Sequence, residues 1–306
     1  MMARWRKLGL LYSPESSAQP RHPKLLSHAA NPLPIHLAGD VFRVFYDGRD
    51  SQNRSSVGGV DIDIVQRRIV CDHPLPFMES GAEGSYYKDG ISIGNDYWIG
   101  DKRYILFMAW QTPPDQHWFG QIGRIEVLDG LSLRPDGDRP FMILDETDPI
   151  SLSYPAVIAS ATGGYEMWYG STLTWAAENG TMVHILKQAT SVDGNRWIKS
   201  GDSIPYQIGT DQAKSRPTLL RDGDGLHCWF SYRGVPPQKY RIGYAVKVAD
   251  EPWQLALNRS GITVSESGWD SEMIEYPFVF EHRGDRYLLY NGNGYGKTGF
   301  GLAIWE

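Results

Sequence analysis

One aromatic strand pattern returns five times along this chain: VFRVFYDGRD at 41–50, RYILFMAWQT at 103–112, GYEMWYGST at 164–172, LHCWFSYRG at 226–234 and RYLLYNGNG at 286–294. With Phe45, Phe107, Trp168, Trp229 and Leu289 taken as equivalent, the steps are 62, 61, 61 and 60 residues. Five such units account for all 306 residues. A fixed period of this length marks a repeat architecture, and every other feature is read within it.

Each unit has the same internal order. A first strand, usually opening near a proline, reads NPLPIHL, DGISIG (without proline), YPAVIAS, RPTLLRD and YPFVFEH. The aromatic strand follows a Gly/Asp turn such as ATGG, RDGDG or HRGD, which signals a hairpin. A third strand reads VGGVDIDIV, QIGRIEVL, HILKQATS, YRIGYAVKV and GFGLAIWE. A turn and a fourth strand end the unit, most legibly in SVDGNRWIKSG, where Asp193-Gly194 turns and Trp197 packs back. Four antiparallel strands per unit and no amphipathic helix predict an all-β fold, a five-bladed β-propeller forming one domain over 1–306. The blades run over about 28–75, 85–140, 150–205, 214–260 and 272–306. The chain ends after the third strand of the fifth unit, so the strand-like segment at about 5–12 is expected to close the ring and cover an edge.

Composition narrows the function. The 33 glycines, 19 prolines and 38 aromatics suit short strands and turns around a core or a sugar. A net charge of −6 argues against a general nucleic-acid binder. No apolar run approaches the ~18 residues of a membrane span, and MMARWRKLGLLYSP lacks the apolar core of an export signal, so the reading is a cytoplasmic protein. Two cysteines, Cys71 and Cys228, exclude a disulfide framework. The eight histidines show no metal-ligand spacing, and GNGYGKTGFG at 292–301 misses the phosphate-loop register.

In a propeller the first strand of each blade lines the channel, so residues at its entrance converge on one mouth. They are His28 and Asn31, Lys88 and Asp89, Ser153 and Tyr154, Ser215 and Arg216, and Glu275 and Tyr276. Loops after the second strands add Asp47, Arg49 and Asp50, then Trp110, Tyr232 and Arg233, and finally Asn291 and Asn293. Asp270 and Glu272 lie on the approach to the last blade. Carboxylates, arginines and aromatic faces together suit a carbohydrate. Several have plainer uses: Asp47, Asp50 and Asp193 as turn formers, Arg49 and Arg54 as partners of Asp50 or Asp61, and Trp168 and Trp229 as core.

The blade pattern, the SVDGNRW turn and YEMWYGS resemble the five-bladed glycoside hydrolase superfamily, which includes family 43 and the invertase-levansucrase group. The stretches HAANPLPIHLAGDVFRVFYDGRDSQNRS, GWDSEMIEYPFVF and YLLYNGNGYGKTGFGLA resemble a bacterial subgroup of unassigned activity within it. The resemblance implies a sugar in the channel mouth and three acids, placed before the first- and third-blade prolines and at the opening of the fourth blade. Here those places hold Asn31, Tyr154 and Ser215-Arg216. Asn31 takes no proton at neutral pH and Arg216 gives none, so the family triad does not transfer. A channel-bound calcium ion, seen in some relatives, is compatible with the resemblance, but no loop demands it; no other cofactor is expected.

Two readings stand against each other. In the first, a glycosidase uses relocated acids: Glu275, in apolar surroundings, as the raised acid, and Asp89, beside Lys88, as the ionised partner. In the second, the same mouth binds or transfers a sugar or nucleotide-sugar without hydrolysis, and Arg49, Arg216 and Arg233 hold a phosphate or sugar carboxylate. A protein-interaction platform is the least supported alternative.

Overall fold

The computed structural model describes residues 4–16, 20–223, 225–249 and 251–306. After β1 (Trp5–Tyr12), the strands fall into five antiparallel units. Unit one holds β2 (Ser27–Ala38), β3 (Val41–Arg49), β4 (Ser55–Asp63) and β5 (Arg68–Asp72). Unit two holds β6 (Gly90–Ile99), β7 (Lys102–Gln111), β8 (Phe119–Val127) and β9 (Leu133–Pro135). Unit three holds β10 (Leu152–Ala159), β11 (Tyr165–Thr174), β12 (Val183–Ser191) and β13 (Ile198–Ser203). Unit four holds β14 (Ala213–Asp222), β15 (Gly225–Arg233), β16 (Arg241–Val248) and β17 (Gln254–Leu255). Unit five holds β18 (Glu275–His282), β19 (Asp285–Asn291) and β20 (Phe300–Trp305), and β1 pairs antiparallel with β20 as its fourth strand. The protein is all-β. Among the described residues no helix is long and apolar enough to cross a membrane.

The second strands read as apolar runs because both faces are covered by neighbouring units. In β7 every residue from Tyr104 to Ala109 is buried. The fourth strands face water and are short or polar, as an exposed edge must be. In four units an aromatic on the second strand faces a glycine on the third: Phe45 with Gly59, Phe107 with Gly123, Phe230 with Gly243 and Tyr290 with Gly301. The approach at Gly123 leaves no room for a side chain, since a Cβ there would lie 2.2 Å from the Phe107 ring.

Apolar residues gather into five clusters, each joining two units. Units one and two share Phe45, Val57, Ile93 and Phe107; units two and three share Leu106, Ile122, Met167 and Tyr169. Units three and four share Trp168, Leu186, Phe230 and Ala245, and units four and five share Trp229, Tyr244, Leu288 and Tyr290. Units five and one share Leu289, Phe300, Val44 and Ile62. Trp5 of β1 enters the cluster of units four and five, edge-on to Trp229 at 5.8 Å and to Trp305 at 4.8 Å, with only 4% of its surface exposed. Replacing Trp5 by Ala should therefore cost about 3–5 kcal/mol, the usual loss for a buried tryptophan. Urea unfolding measures it, and an unchanged midpoint would mean that β1 bears no part of the core.

Candidate functional site

Proline and backbone strain build the mouth. The β2, β10, β14 and β18 ladders each slip at a residue followed by proline: Asn31-Pro32, Tyr154-Pro155, Arg216-Pro217 and Tyr276-Pro277. Proline has no N–H to give the ladder, so a bulge is where a strand tolerates it. The residue ahead of it has positive φ in all four: 53° at Asn31, 40° at Tyr154, 50° at Arg216 and 51° at Tyr276. Each such residue costs of the order of 1–3 kcal/mol, and the bulge re-aims its side chain.

Unit two departs from this pattern. Ile91 pairs with Ala109 as Ala30 pairs with Asp47 and Glu275 with Asn291, so Ser92 holds the equivalent place. The slip itself lies two residues on, at Gly94-Asn95. The expectation that Lys88 and Asp89 occupy this place therefore gives way to Ser92. Without a proline to mark the bulge, the sequence offered no anchor there.

All five units contribute to one cleft of about 550 Å³. Arg49 comes from unit one, Ser92 and Trp110 from unit two, Tyr154 and His184 from unit three, Ser215, Arg233 and Tyr240 from unit four, and Tyr276 and Tyr295 from unit five. Trp118, Met108 and Met182 complete an aromatic and apolar wall. The Tyr154 and Tyr276 rings sit 5.4 Å apart with their hydroxyls at 3.4 Å. Trp110 Nε1 donates to Ser55 Oγ at 3.1 Å, which holds the indole in place. Arg49 donates to Asn53 Oδ1 at 2.6 Å, and Arg233 to the Gly234 carbonyl at 3.0 Å while lying over the Tyr240 ring. His184 is clamped between Ser153 Oγ at 2.6 Å and Thr172 Oγ1 at 2.7 Å, and burial pushes it down to about 4, so its imidazole is neutral. A groove of about 730 Å³ lies elsewhere, lined by Arg4, Trp229, Tyr244 and Trp305 among others, but draws only on unit four, unit five and the segments beside them.

Glu275 is the unusual group. It is wholly buried, neither carboxyl oxygen has a hydrogen-bond partner among the described residues, and burial holds its pKa well above the usual carboxylate range against the pull of Arg49. Its charge reaches Tyr154, Tyr240 and Tyr295, all on the cleft wall. Its counterparts Ala30, Ile91, Ser153 and Ser215 carry no acid, which makes it singular at this level.

The other expected residues divide. Arg49, Trp110, Tyr154, Arg233 and Tyr276 line the cleft. Asp89 is half-buried just ahead of β6 and accepts from the Thr112 N–H at 2.7 Å. Asp50 braces its own turn, accepting from the Gln52 and Arg54 N–H groups and pairing with the Arg54 guanidinium at 2.8 Å. Glu272 is exposed and paired with Lys239. His28 lies near Arg49 and Lys297; burial and those charges push it down to about 4. Asn291 staples units five and one, accepting from the Asn31 N–H and donating to the Ala29 and Gly299 carbonyls. Arg216 is 1% exposed and donates to the carbonyls of Ile93, Asn31 and Pro32.

Sequence reasoning missed His184, Trp118, Tyr240 and Tyr295 and discounted Asp47. His184 had a signal, since it stands where β12 meets the next unit's first strand, as Ser55 does where β4 meets β6. Asp47, read as a turn former, is buried in β3 and accepts from Asn31 Nδ2 at 2.7 Å and from the Ile93 N–H. Among the described residues, Asp61, Cys71 and His73 approach metal-ligand spacing, with ligand atoms within 4.8 Å of one another. They stand on β4 and around β5, and Arg43 already holds Asp61 at 2.7 and 2.9 Å.

No family model matches the chain. It is 40% identical over 304 residues to the uncharacterized proteins Rv1502 and MT1551 of Mycobacterium tuberculosis, covering 99% of each chain. The chain belongs to their family. Among solved structures it resembles a glycoside hydrolase at TM-score 0.72 and 13% identity, covering 97% of this chain and 90% of that one. It also resembles the β-1,2-mannobiose phosphorylase of Listeria innocua at 0.71 and 11%, covering 99% and 96%. A thermostable family-43 glycoside hydrolase follows at 0.64 and 14%, covering 94% and 91%. The fold is that of the propeller glycoside hydrolases.

Asp47 yields a pH test. Burial raises it to about 7 despite its hydrogen bonds and the nearby Arg216 and Arg49. In the unfolded chain an aspartate ionises near 4, so between about 4 and 7 the fold keeps a proton that the unfolded chain has lost. Stability from this group is fully present below about 4 and falls as the pH rises through about 7. Asp47→Asn should flatten that part of a plot of Tm against pH. An unchanged slope would mean that Asp47 ionises in the fold as it does in water.

Proposed function

We propose that the five units close into a five-bladed propeller ring, and that the cleft at its mouth acts on a carbohydrate with Glu275 as a protonated acid. The ring is supported by the five shared clusters, the last joining unit five to unit one. Glu275 carries the functional reading. A carboxyl with no polar partner is costly to bury as a charge, so burial pushes Glu275 toward its protonated form. A held proton is what glycosidic bond cleavage needs for the departing oxygen. The aromatic wall of Trp110, Trp118 and Tyr154 offers flat apolar faces to a sugar ring. For the second carboxylate, which would activate water or attack carbon, the candidates are Asp89 at the rim and Asp47, whose charge, like that of Glu275, reaches Tyr154.

A second reading, sugar binding without bond cleavage, is favoured by one observation: no Asp or Glu is among the described residues lining the cleft. Nothing in the cleft specifically supports a nucleotide-sugar as its ligand.

The test compares wild type and Glu275→Gln on neutral disaccharides and aryl glycosides. β-1,2-mannobiose, with and without inorganic phosphate, belongs in the panel because one structural neighbour is named for it. Turnover should fall about 10²–10⁴-fold in the variant, and Asp89→Asn and Asp47→Asn should identify the partner. Undiminished turnover in Glu275→Gln removes that residue from the mechanism; calorimetric binding without turnover moves the protein to the second reading. The fold provides a control. Because the buried carboxyl is raised, its stability contribution declines as pH rises, whereas glutamine does not ionise, so Glu275→Gln should gain Tm over wild type at pH 9 relative to pH 5.

A further inference from the structure

We infer that the sugar taken by this cleft carries an anionic group, a carboxylate or a phosphate, gripped between Arg49 and Arg233. The inference rests on the carbohydrate reading above and deepens it.

The chain as a whole is acidic, at −6, yet the described residues lining the cleft include two arginines and no carboxylate. Among the described residues neither arginine is ion-paired. Each uses one nitrogen on a neutral oxygen, Asn53 Oδ1 for Arg49 and the Gly234 carbonyl for Arg233. A guanidinium has five donors arranged as a fork, so each keeps an edge for a two-pronged bond to an oxyanion. Arg49 makes no ion pair with Glu275, whose charged form burial disfavours against the pull of Arg49. Both arginines, with Lys239, act on the Tyr295 hydroxyl against the upward push of burial. Burial first, and then Arg49 and Lys297, push His28 down to about 4. Two half-buried cations without a counter-charge are unfavourable unless an anion joins them.

The walls also differ in kind. Units two and three present Trp110, Trp118, Met108 and Met182, whereas the cations come from units one and four, with Lys239 and Lys297 outside them. A ligand that matches both walls has an apolar ring face at one end and a negative charge at the other. Acidic sugars, either uronates or sugar phosphates, have that shape.

Calorimetry with the full chain tests this, using glucuronate, galacturonate and mannuronate, glucose 6-phosphate and mannose 6-phosphate, the matching neutral hexoses, and inorganic phosphate. At least one acidic sugar should bind about tenfold or more tighter than its neutral counterpart, the contribution of a charge-assisted hydrogen bond. The preference should shrink with added salt. Uronates and phosphates separate the two sources of charge. Arg49→Met and Arg233→Met should each erase the preference, and the lysine variants, which keep charge but lose the fork, should restore only part of it.

Neutral hexoses bound as well as their acids would overturn the anionic inference while leaving the sugar reading intact. Acid binding unchanged in both methionine variants would do the same. Phosphate bound through these arginines with no sugar bound would uphold the anion site and sink the sugar reading. No binding of any probe would overturn the inference.

Discussion

A single buried cation ties the centre of this protein together. The Arg216 guanidinium reaches from unit four to carbonyls of Asn31 and Pro32 in unit one and Ile93 in unit two. Burial lowers its pKa to about 10, opposed by the nearby Asp47, so it remains charged at neutral pH. Removing such a charge from water is expensive unless its hydrogen bonds are met, and three carbonyls from two other units take up its two terminal nitrogens, while Nε has no partner among the described residues. Asp47 in turn anchors Asn31 and the Ile93 N–H. Two of the left-handed residues of the first strands, Asn31 and Arg216, belong to this network, and Tyr276 is held separately by its N–H on Ser231 Oγ.

The tension in the site is electrostatic. Burial disfavours the charged form of the Glu275 carboxyl, and among the described residues no acid pairs with Arg49 or Arg233. Both arrangements cost stability. Such costs are tolerated where a ligand or a reaction uses them, and on that physical argument rest both the proposed acid at 275 and the proposed anionic sugar.

The line between what was readable and what was not follows from the repeat. Arg49, Trp110, Tyr154, Arg233 and Tyr276 could be nominated because the repeat assigns them to strand entrances and loop starts, and all five line the cleft. Arg216, Asn291 and Asp50 were nominated by the same logic but bond to the protein itself. Position along a strand does not tell whether a polar group meets a ligand or a neighbouring carbonyl. Unit two was misread by a few residues because no proline marks its bulge, and the pairing of Ile91 with Ala109 is a backbone fact. Tyr240 and Tyr295 escaped notice because they sit in loops, where the period carries no information.

The sequence by itself determined the all-β architecture and its period of about 61 residues, since hairpin turns, alternating strands and recurring aromatics are local signals that add up along the chain. It also marked the bulged residue of the first strand in four of the units, through prolines that admit only a bulge, and two of those residues, Tyr154 and Tyr276, line the cleft. The tertiary structure decided the chemistry. Whether Glu275 is protonated, whether Arg49 and Arg233 lack a counter-charge and whether Arg216 is consumed internally all depend on desolvation and on groups brought together from distant units, and these exist only once the chain has folded.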